Sequence, residues 1–414
     1  MLIQLFPKAF KKFLSLPVLG AVADEFEVWL QDRGYTRSTR RLMFRILVRI
    51  DGHLSALGIR ELRELTASDL DSCYQALHRC LPKEAGTVRV LEHFLKTRRL
   101  MALGTDHMPT RMETLLQIFV DHLQQVRGFE RSTINSHRRT AAELLAFLHY
   151  ETQPSCLTTL SLDAIESFIE ATSRRVSRAT LQHVVAALRS FLRFLTLHNL
   201  TRPGLESQIE SPHGYRLEQL PRSLPWQTVR AFLESIDQST AMGLRDYTMF
   251  LLMATYGLRA SEIVELTLED IDWRRRVLRI RQRKTANILQ LPLTDTAGTI
   301  LFRYLKKGRS PSSYRQVFLR VRAPAGVLKP TAVIEAFQRW TRLSGLPIPF
   351  QGAHCLRHSY AVYLLQRGTP LKMIGDLLGH RTVEATGAYL RLSTEDLREV
   401  ALPVPRTVEK EGRR

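Results

Sequence analysis

The chain has 414 residues, 44% of them hydrophobic, which is enough for two or three domains that each bury a core. No apolar run approaches the ~18 residues of a membrane-spanning helix, which sets that class aside. Its 60 Lys and Arg against 40 Asp and Glu leave a net charge of +20 and a pI near 10.3, a balance that points to a polyanionic partner.

Nucleic acid leads among such partners, because neutralised phosphates release condensed counterions and give affinity without regard to sequence. An anionic membrane surface competes less well, since the basic residues are spread through folded-looking segments and form no single amphipathic tail. Cys73, Cys80, Cys156 and Cys355 show no CxxC pair and no zinc spacing. They read as reduced, mostly buried thiols of a cytosolic protein.

At the N-terminus Lys8, Lys11 and Lys12 precede LSLPVLGAVA, and Ala21-Val22-Ala23 resembles an export cleavage site. A short basic amphipathic helix leading into the first domain accounts for the same residues. Two similar blocks follow, at about 18–101 and 111–200. In the first, Phe26 and Leu30 precede Arg33-Gly34-Tyr35-Thr36-Arg37-Ser38-Thr39. In the second, Phe119 and Leu123 precede Arg127-Gly128-Phe129-Glu130-Arg131-Ser132-Thr133. Further on, Leu65-Thr66-Ala67-Ser68-Asp69-Leu70 matches Leu160-Ser161-Leu162-Asp163-Ala164-Ile165, and Thr87-Val88 matches Thr180-Leu181. The pattern predicts a duplicated all-α domain with helix, basic turn, long helix, capped short helix and final helix.

Ser38 and Ser132 are the expected N-caps, and a helix start flanked by Arg37 or Arg131 offers N–H groups and charge to a phosphate. A merely solvated helix start is the competing reading. Block two adds Arg174, Arg175, Arg178, Arg189 and Arg193, a face suited to lie along a duplex. A linker with Pro203, Pro212, Pro221 and Pro225 is expected to lack regular structure. The division reads 1–105, 108–205, a linker at 206–222, 223–400 and a charged tail at 401–414.

In block three, Trp226 to Ile236 and Gly243 to Thr255 suit core helices. Gly257 permits a tight break before a helix restarts at Ala260-Ser261-Glu262. Val277, Leu278 and Ile280 alternate with arginines, including Arg279, Arg281 and Arg283, as in a strand. A second strand returns at Ile288 to Leu293, which puts Lys284 at a hairpin tip. On position alone Lys284 is an ordinary surface lysine.

The stretch from His354 to Tyr389 carries the densest chemistry. A helix starting after Ala353 places His354, Arg357 and His358 at i, i+3 and i+4 on one face, where donors can converge on an anion. Thr369-Pro370 looks like a cap followed by a first helical proline, and Gly379 like the stop that leaves His380 in a turn. A metal reading of His354, His358 and His380 is weak, because arginines and not carboxylates accompany them.

Taken together, TYGLRASEIVELTLEDID, the Lys284 hairpin, HCLRH, LLGH and a tyrosine nine residues after that histidine resemble the tyrosine recombinase, or phage-integrase, family. The resemblance covers about 223–393. It implies a mainly α, multi-domain protein: two SAM-like helical DNA-binding domains, then a mixed α+β catalytic domain with a small antiparallel sheet. It assigns Arg259, Lys284, His354, Arg357 and His380 to the catalytic pocket and Tyr389 as nucleophile, with Glu262 and His358 in support. The hairpin lacks the family's usual glycine beside the lysine.

The implied activity is cleavage and rejoining of DNA at specific sites through a 3′-phosphotyrosine, serving integration, excision or transposition of a mobile element. Such chemistry uses no cofactor, and no carboxylate cluster offers a two-metal site. The implied partner is double-stranded DNA, bound by a homotetramer on synapsed sites, with or without sister recombinases, in a bacterial cytoplasm. Leu392, Leu397, Val400 and Leu402 make the tail amphipathic enough to dock on a neighbour. The alternatives are a chromosome or plasmid dimer resolvase, a type IB topoisomerase, or a DNA-binding protein without chemistry.

Overall fold

A computed structural model of the chain describes residues 1–101, 109–212, 221–282, 288–380 and 382–392. Its contacts form two compact units, one joining Met1–Ala102 to Gln219–Arg414 and the other spanning Leu103–Glu218.

Block one, in the first unit, contains α1 (Ala23–Asp32), α2 (Arg37–Ala56), α3 (Ala67–Cys80) and α4 (Gly86–Arg98). Phe26, Leu30, Phe44, Leu70 and Phe94 close its core. Leu2, Leu5 and Phe13 belong to the same core, so the basic leading segment is structural and contains a short helix at Phe10–Leu14.

Block two repeats that order with α5 (Arg111–Asp121), α6 (Arg131–Phe147), α7 (Leu162–Ser173) and α8 (Arg178–Leu197). Its core aligns with the first: Phe119 and Leu123 are buried like Phe26 and Leu30, and Leu160 and Ile165 like Leu65 and Leu70. Thr66 and Ser161 cap α3 and α7 at equivalent positions, each accepting from a backbone N–H three residues on.

Two of the expected caps move. Thr36, not Ser38, caps α2, and Glu130, not Ser132, precedes α6 without a side-chain cap. The serines fall inside the first turn, because a short hydroxyl caps only from the extended residue just before the helix, and here that residue is 36 or 130. The linker is also more ordered than its prolines imply. Leu205–Gln208 is helical, and Leu205 and Ile209 are buried in the core of block two.

The rest of the first unit builds a mixed layer. It runs through α9 (Trp226–Glu234), α10 (Ala241–Tyr256) and α11 (Ala260–Glu265) into β1 (Ile271–Asp272), β2 (Val277–Arg281) and β3 (Ile288–Pro292). The three strands form an antiparallel sheet in sequence order, with Leu278 opposite both Ile271 and Leu291. Helices α12 (Asp295–Arg303), α13 (Pro330–Ser344), α14 (His354–Gln366), α15 (Leu371–Leu378) and α16 (Val383–Gly387) complete it. Its core is aromatic at the centre, where Phe232, Phe250 and Phe337 lie within 5.1–5.9 Å of one another.

Cys73 and Cys355 are buried and Cys156 partly so, but Cys80 is exposed on the last turn of α3. No helix among the described residues is long and apolar enough to cross a membrane. Block one touches the later part of its unit. The Ala325 N–H donates to the Arg33 carbonyl at 3.0 Å, and Ala323 packs on the core of block one.

Candidate active site

Helix α14 starts at His354, as expected, and directs its residues differently along one turn. His354 is exposed, His358 is half-buried, and Arg357 points inward with 2% of its surface exposed. The shared face holds for the histidines but not for the arginine. Arg357 is drawn in by two backbone acceptors: its Nη1 donates to Gly257 O at 2.7 Å and its Nη2 to Leu378 O. Burial pulls its pKa down to about 10, helped by the neighbouring Arg259 charge.

Those carbonyls are available because two helices end there in the left-handed conformation. Gly257 ends α10 at φ 64° and Gly379 ends α15 at φ 61°. At Gly257 a side chain would also collide, since a Cβ would lie 2.5 Å from Leu378 Cδ2. The break after Gly257 sets Arg259 just before α11. There its Nη1 donates to Glu262 Oε1 at 2.6 Å, and its backbone N–H to Glu262 Oε2 at 2.8 Å. Glu262 is nearly fully buried, so it fixes both the chain and the guanidinium of Arg259. The start of α15 falls one residue later than expected: Pro370 is the cap and Leu371 the first helical residue.

Tyr389 lies on the turn Ala388–Leu392 after α16 and is 2% exposed, packed with Ala361, Ile374 and Leu378. Its hydroxyl is 2.9 Å from His358 Nδ1, a hydrogen bond. The His380 ring stacks near the phenol, with centroids 6.2 Å apart, and the His354 ring meets that of His358 edge-on at 4.5 Å. Burial raises the Tyr389 pKa, while Arg357 and Arg259 pull the other way. His358 and His380 are both pushed down to about 4, chiefly by burial and then by nearby imidazole and guanidinium charge. The site thus keeps the His358 and His380 imidazoles neutral beside two guanidiniums and a phenol. That set can bind a phosphate and hold the phenol in place.

Three residues that the sequence did not single out take part. Thr386 Oγ1 is 2.8 Å from His380 Nδ1 and fixes that ring. Gln282, at the end of β2, is buried over Gly379, where any Cβ would lie 1.8 Å from its Nε2. Ser359 Oγ accepts from the Leu224 N–H at 2.7 Å and ties the end of the linker to α14. Only the glycine stop of LLGH hinted at the second contact; the first joins residues six apart across a turn, and the third residues far apart in the chain.

Lys284 and Arg283 lie outside the described residues. Arg281 is exposed and reaches Asp270 at 3.4 Å. The other basic candidates are exposed except Arg189, which is half-buried; Arg174 and Arg175 lie in the turn after α7 and the rest on helices, several with partners of their own. Arg37 donates to Gln4 O, Arg174 pairs with Glu170, and Arg175 with Glu143. Arg189 donates to Ile209 O and Ser211 Oγ, holding the linker against block two. Arg131, Arg178 and Arg193 are exposed on α6 and α8. Among the described residues no group of three or more His, Cys, Asp or Glu is placed to hold a metal.

Residues 222–396 match the phage integrase family, and residues 116–199 match the phage integrase N-terminal SAM-like domain. The chain is 31% identical to "Putative integrase/recombinase y4rA" of Sinorhizobium fredii (strain NBRC 101917 / NGR234), across 95% of this chain and 97% of that protein. It is 30% identical to tyrosine recombinase XerC of Roseiflexus castenholzii (strain DSM 13941 / HLO8), across 73% of this chain and 96% of the relative. The fold matches the XerH site-specific recombinase bound to palindromic difH substrate, with TM-score 0.56 and 18% identity, covering 69% of this chain and 83% of that one. The chain belongs to the phage integrase family of tyrosine recombinases, enzymes that break and rejoin DNA at specific sites.

Proposed function

We propose that Tyr389 is the nucleophile of a metal-independent recombinase that moves a mobile DNA element. The observation that carries this reading is the Tyr389 hydroxyl, buried and hydrogen-bonded in a pocket that Arg259, Arg357 and His380 also share. Attack by the phenol oxygen forms a bond to phosphorus and breaks the bond to the 5′ oxygen. The phenol proton leaves to a base at the site, and the 5′ oxygen takes a proton from the Lys284 hairpin.

The arginines serve the transition state. Charge developing on the non-bridging oxygens is offset by guanidiniums whose forked donors match two oxygens at once, and loss of one such donor typically costs about 10²–10³ in rate. His354 and His380 hydrogen-bond the phosphate, and His354 assists proton transfer. The 3′-phosphotyrosine retains the energy of the phosphodiester, so a second 5′ hydroxyl can reverse the step and rejoin DNA without ATP.

DNA would be held by the net charge of +20, with Arg131, Arg174, Arg175, Arg178, Arg193 and Arg281 among the contacts. Four copies on two synapsed sites, linked through tails beyond about Ser393, complete the reading, with sister recombinases as the variant. Block one favours an element-borne recombinase over a dimer resolvase, since the match to y4rA runs through nearly the whole chain while about a quarter of the chain lies outside the match to XerC.

The test uses nicked suicide duplexes that the protein itself selects from a randomised pool, incubated in EDTA. An SDS-resistant protein–DNA adduct is expected with the wild type and absent with Tyr389→Phe. Tight binding without any adduct would leave a DNA-binding protein. Removing residues after Ser393 is expected to spare binding and abolish recombination; recombination that survives the truncation sinks the tail-exchange part.

A further inference from the structure

Tyr389 is anchored weakly by its own element. It sits on a five-residue turn after the five-residue helix α16, and elements this short make few internal hydrogen bonds to orient a side chain. Its hydroxyl is instead tied to α14, a 13-residue helix that packs against α10 and α15. Among the described residues the tie is one bond, Tyr389 Oη to His358 Nδ1 at 2.9 Å.

We infer that His358 is the residue that positions the nucleophile: its Nδ1 holds the Tyr389 hydroxyl beside Arg357 and His380 in readiness for the phosphate. This rests on the reading of Tyr389 as nucleophile. The rings around His358 fix the direction of that bond. His354 meets its ring edge-on at 4.5 Å, and the Tyr389 ring lies at 5.6 Å and 56°. Ser359, the next residue along α14, is locked to Cys355 O and to the Leu224 N–H, which anchors the backbone that carries the imidazole.

The same surroundings argue for positioning over proton transfer. Burial disfavours a protonated His358 most, and the His354, Arg357 and Arg222 charges add to it. An imidazole that stays neutral in this way is a poor proton acceptor at neutral pH. As a hydrogen-bond partner of fixed orientation it remains effective, and a displacement of about 1 Å at a reacting group can cost on the order of 10² in rate.

Asparagine and glutamine separate the two nitrogens of the ring, because an Asn amide occupies the place of Nδ1 and a Gln amide reaches toward Nε2. The experiment measures adduct formation on the selected suicide duplex by His358→Leu, His358→Asn and His358→Gln, with DNA affinity measured alongside. His358→Leu is expected to slow adduct formation about 100-fold at unchanged affinity. His358→Asn is expected to return the rate to within about tenfold of wild type, and His358→Gln to behave like the leucine variant. Wild-type rates with leucine, or no recovery with asparagine, would overturn the inference.

A second measurement does not depend on cleavage. Acetylation of Tyr389 by N-acetylimidazole, read by peptide mass spectrometry, is expected to be faster in His358→Leu than in the wild type and slow again in His358→Asn. If the wild type forms no adduct, the nucleophile reading falls, and the acetylation series alone decides the positioning: equal labelling of all variants overturns it.

Discussion

Block one and block two contain the same turn, and the tertiary structure puts it to different use. Both turns bend at a glycine with positive φ, Gly34 at 77° and Gly128 at 60°. In block two, Arg127 lies over its own Phe129, which in turn meets the ring of His137. In block one, Arg33 stacks on Trp29 with its guanidinium carbon 3.8 Å from the ring, and its carbonyl accepts from Ala325. Tyr35 is buried there close to Arg320. A basic turn in a DNA-handling protein is therefore not by itself a DNA contact. In block one it is a seam with the part of the chain that carries the candidate active site.

The most severe way to break the comparison is to empty each core. Phe26→Ala and Phe119→Ala remove equivalent buried rings and should each cost about 3–5 kcal/mol. In chemical denaturation followed unit by unit, Phe26→Ala should weaken the unit that carries the active site and Phe119→Ala the other. Both variants lowering one shared transition would refute the division into two units.

Acid tests the units next. His358 and His380 stay neutral in the folded protein down to about 4, whereas unfolded imidazoles take protons near 6.5. The folded state binds fewer protons between those values, so stability is complete above about 6.5 and falls as the pH drops toward 4. Discounted for their partial exposure, the pair should cost the first unit on the order of 2 kcal/mol. Block two has depressed histidines as well, His122 and His137. Their shifts are smaller, so its melting should respond less to the same acidification.

A finer probe is the glycine pair. Gly34→Val and Gly128→Val each force a branched side chain into the left-handed region, at about 1–2 kcal/mol. Only the first also sets its branched side chain against Ala325, whose Cβ would be in ordinary contact with the new Cβ at 3.8 Å. Hydrogen exchange at the Ala325 amide should therefore speed up in Gly34→Val and remain unchanged in Gly128→Val. The smallest effects belong to the caps. Thr66→Ala and Ser161→Ala should each lose about 1 kcal/mol, with Thr66 the costlier because Asp69 completes a capping box there. Thermal melts resolve that difference.

Much of this was legible in the chain because it is local. The repeat showed in the spacing of Phe26 and Phe119 and of Arg33 and Arg127, and helix and strand periods placed α9, α10, β2 and β3. Gly257 and Gly379 were readable as helix stops, since few other residues tolerate that conformation. The caps at 36 and 130 were misplaced by two residues because Thr36, Ser38 and Thr39 offer interchangeable hydroxyls. Glu130 offers none, and its helix begins without a side-chain cap. Within the site, local order gave the membership of His354, Arg357, His358, His380 and Tyr389 but not their connections.

Residue type, spacing and turn chemistry determined the helical repeat and the paired strands, for these follow from interactions within a few residues. The inward turn of Arg357 to Gly257 O and Leu378 O, the bond of Tyr389 to His358, the packing of Gln282 over Gly379 and the docking of Arg33 on Ala325 were decided by tertiary structure. Each joins elements distant in sequence. A buried donor takes whichever acceptor packing brings within reach, and that choice is made only when the core closes.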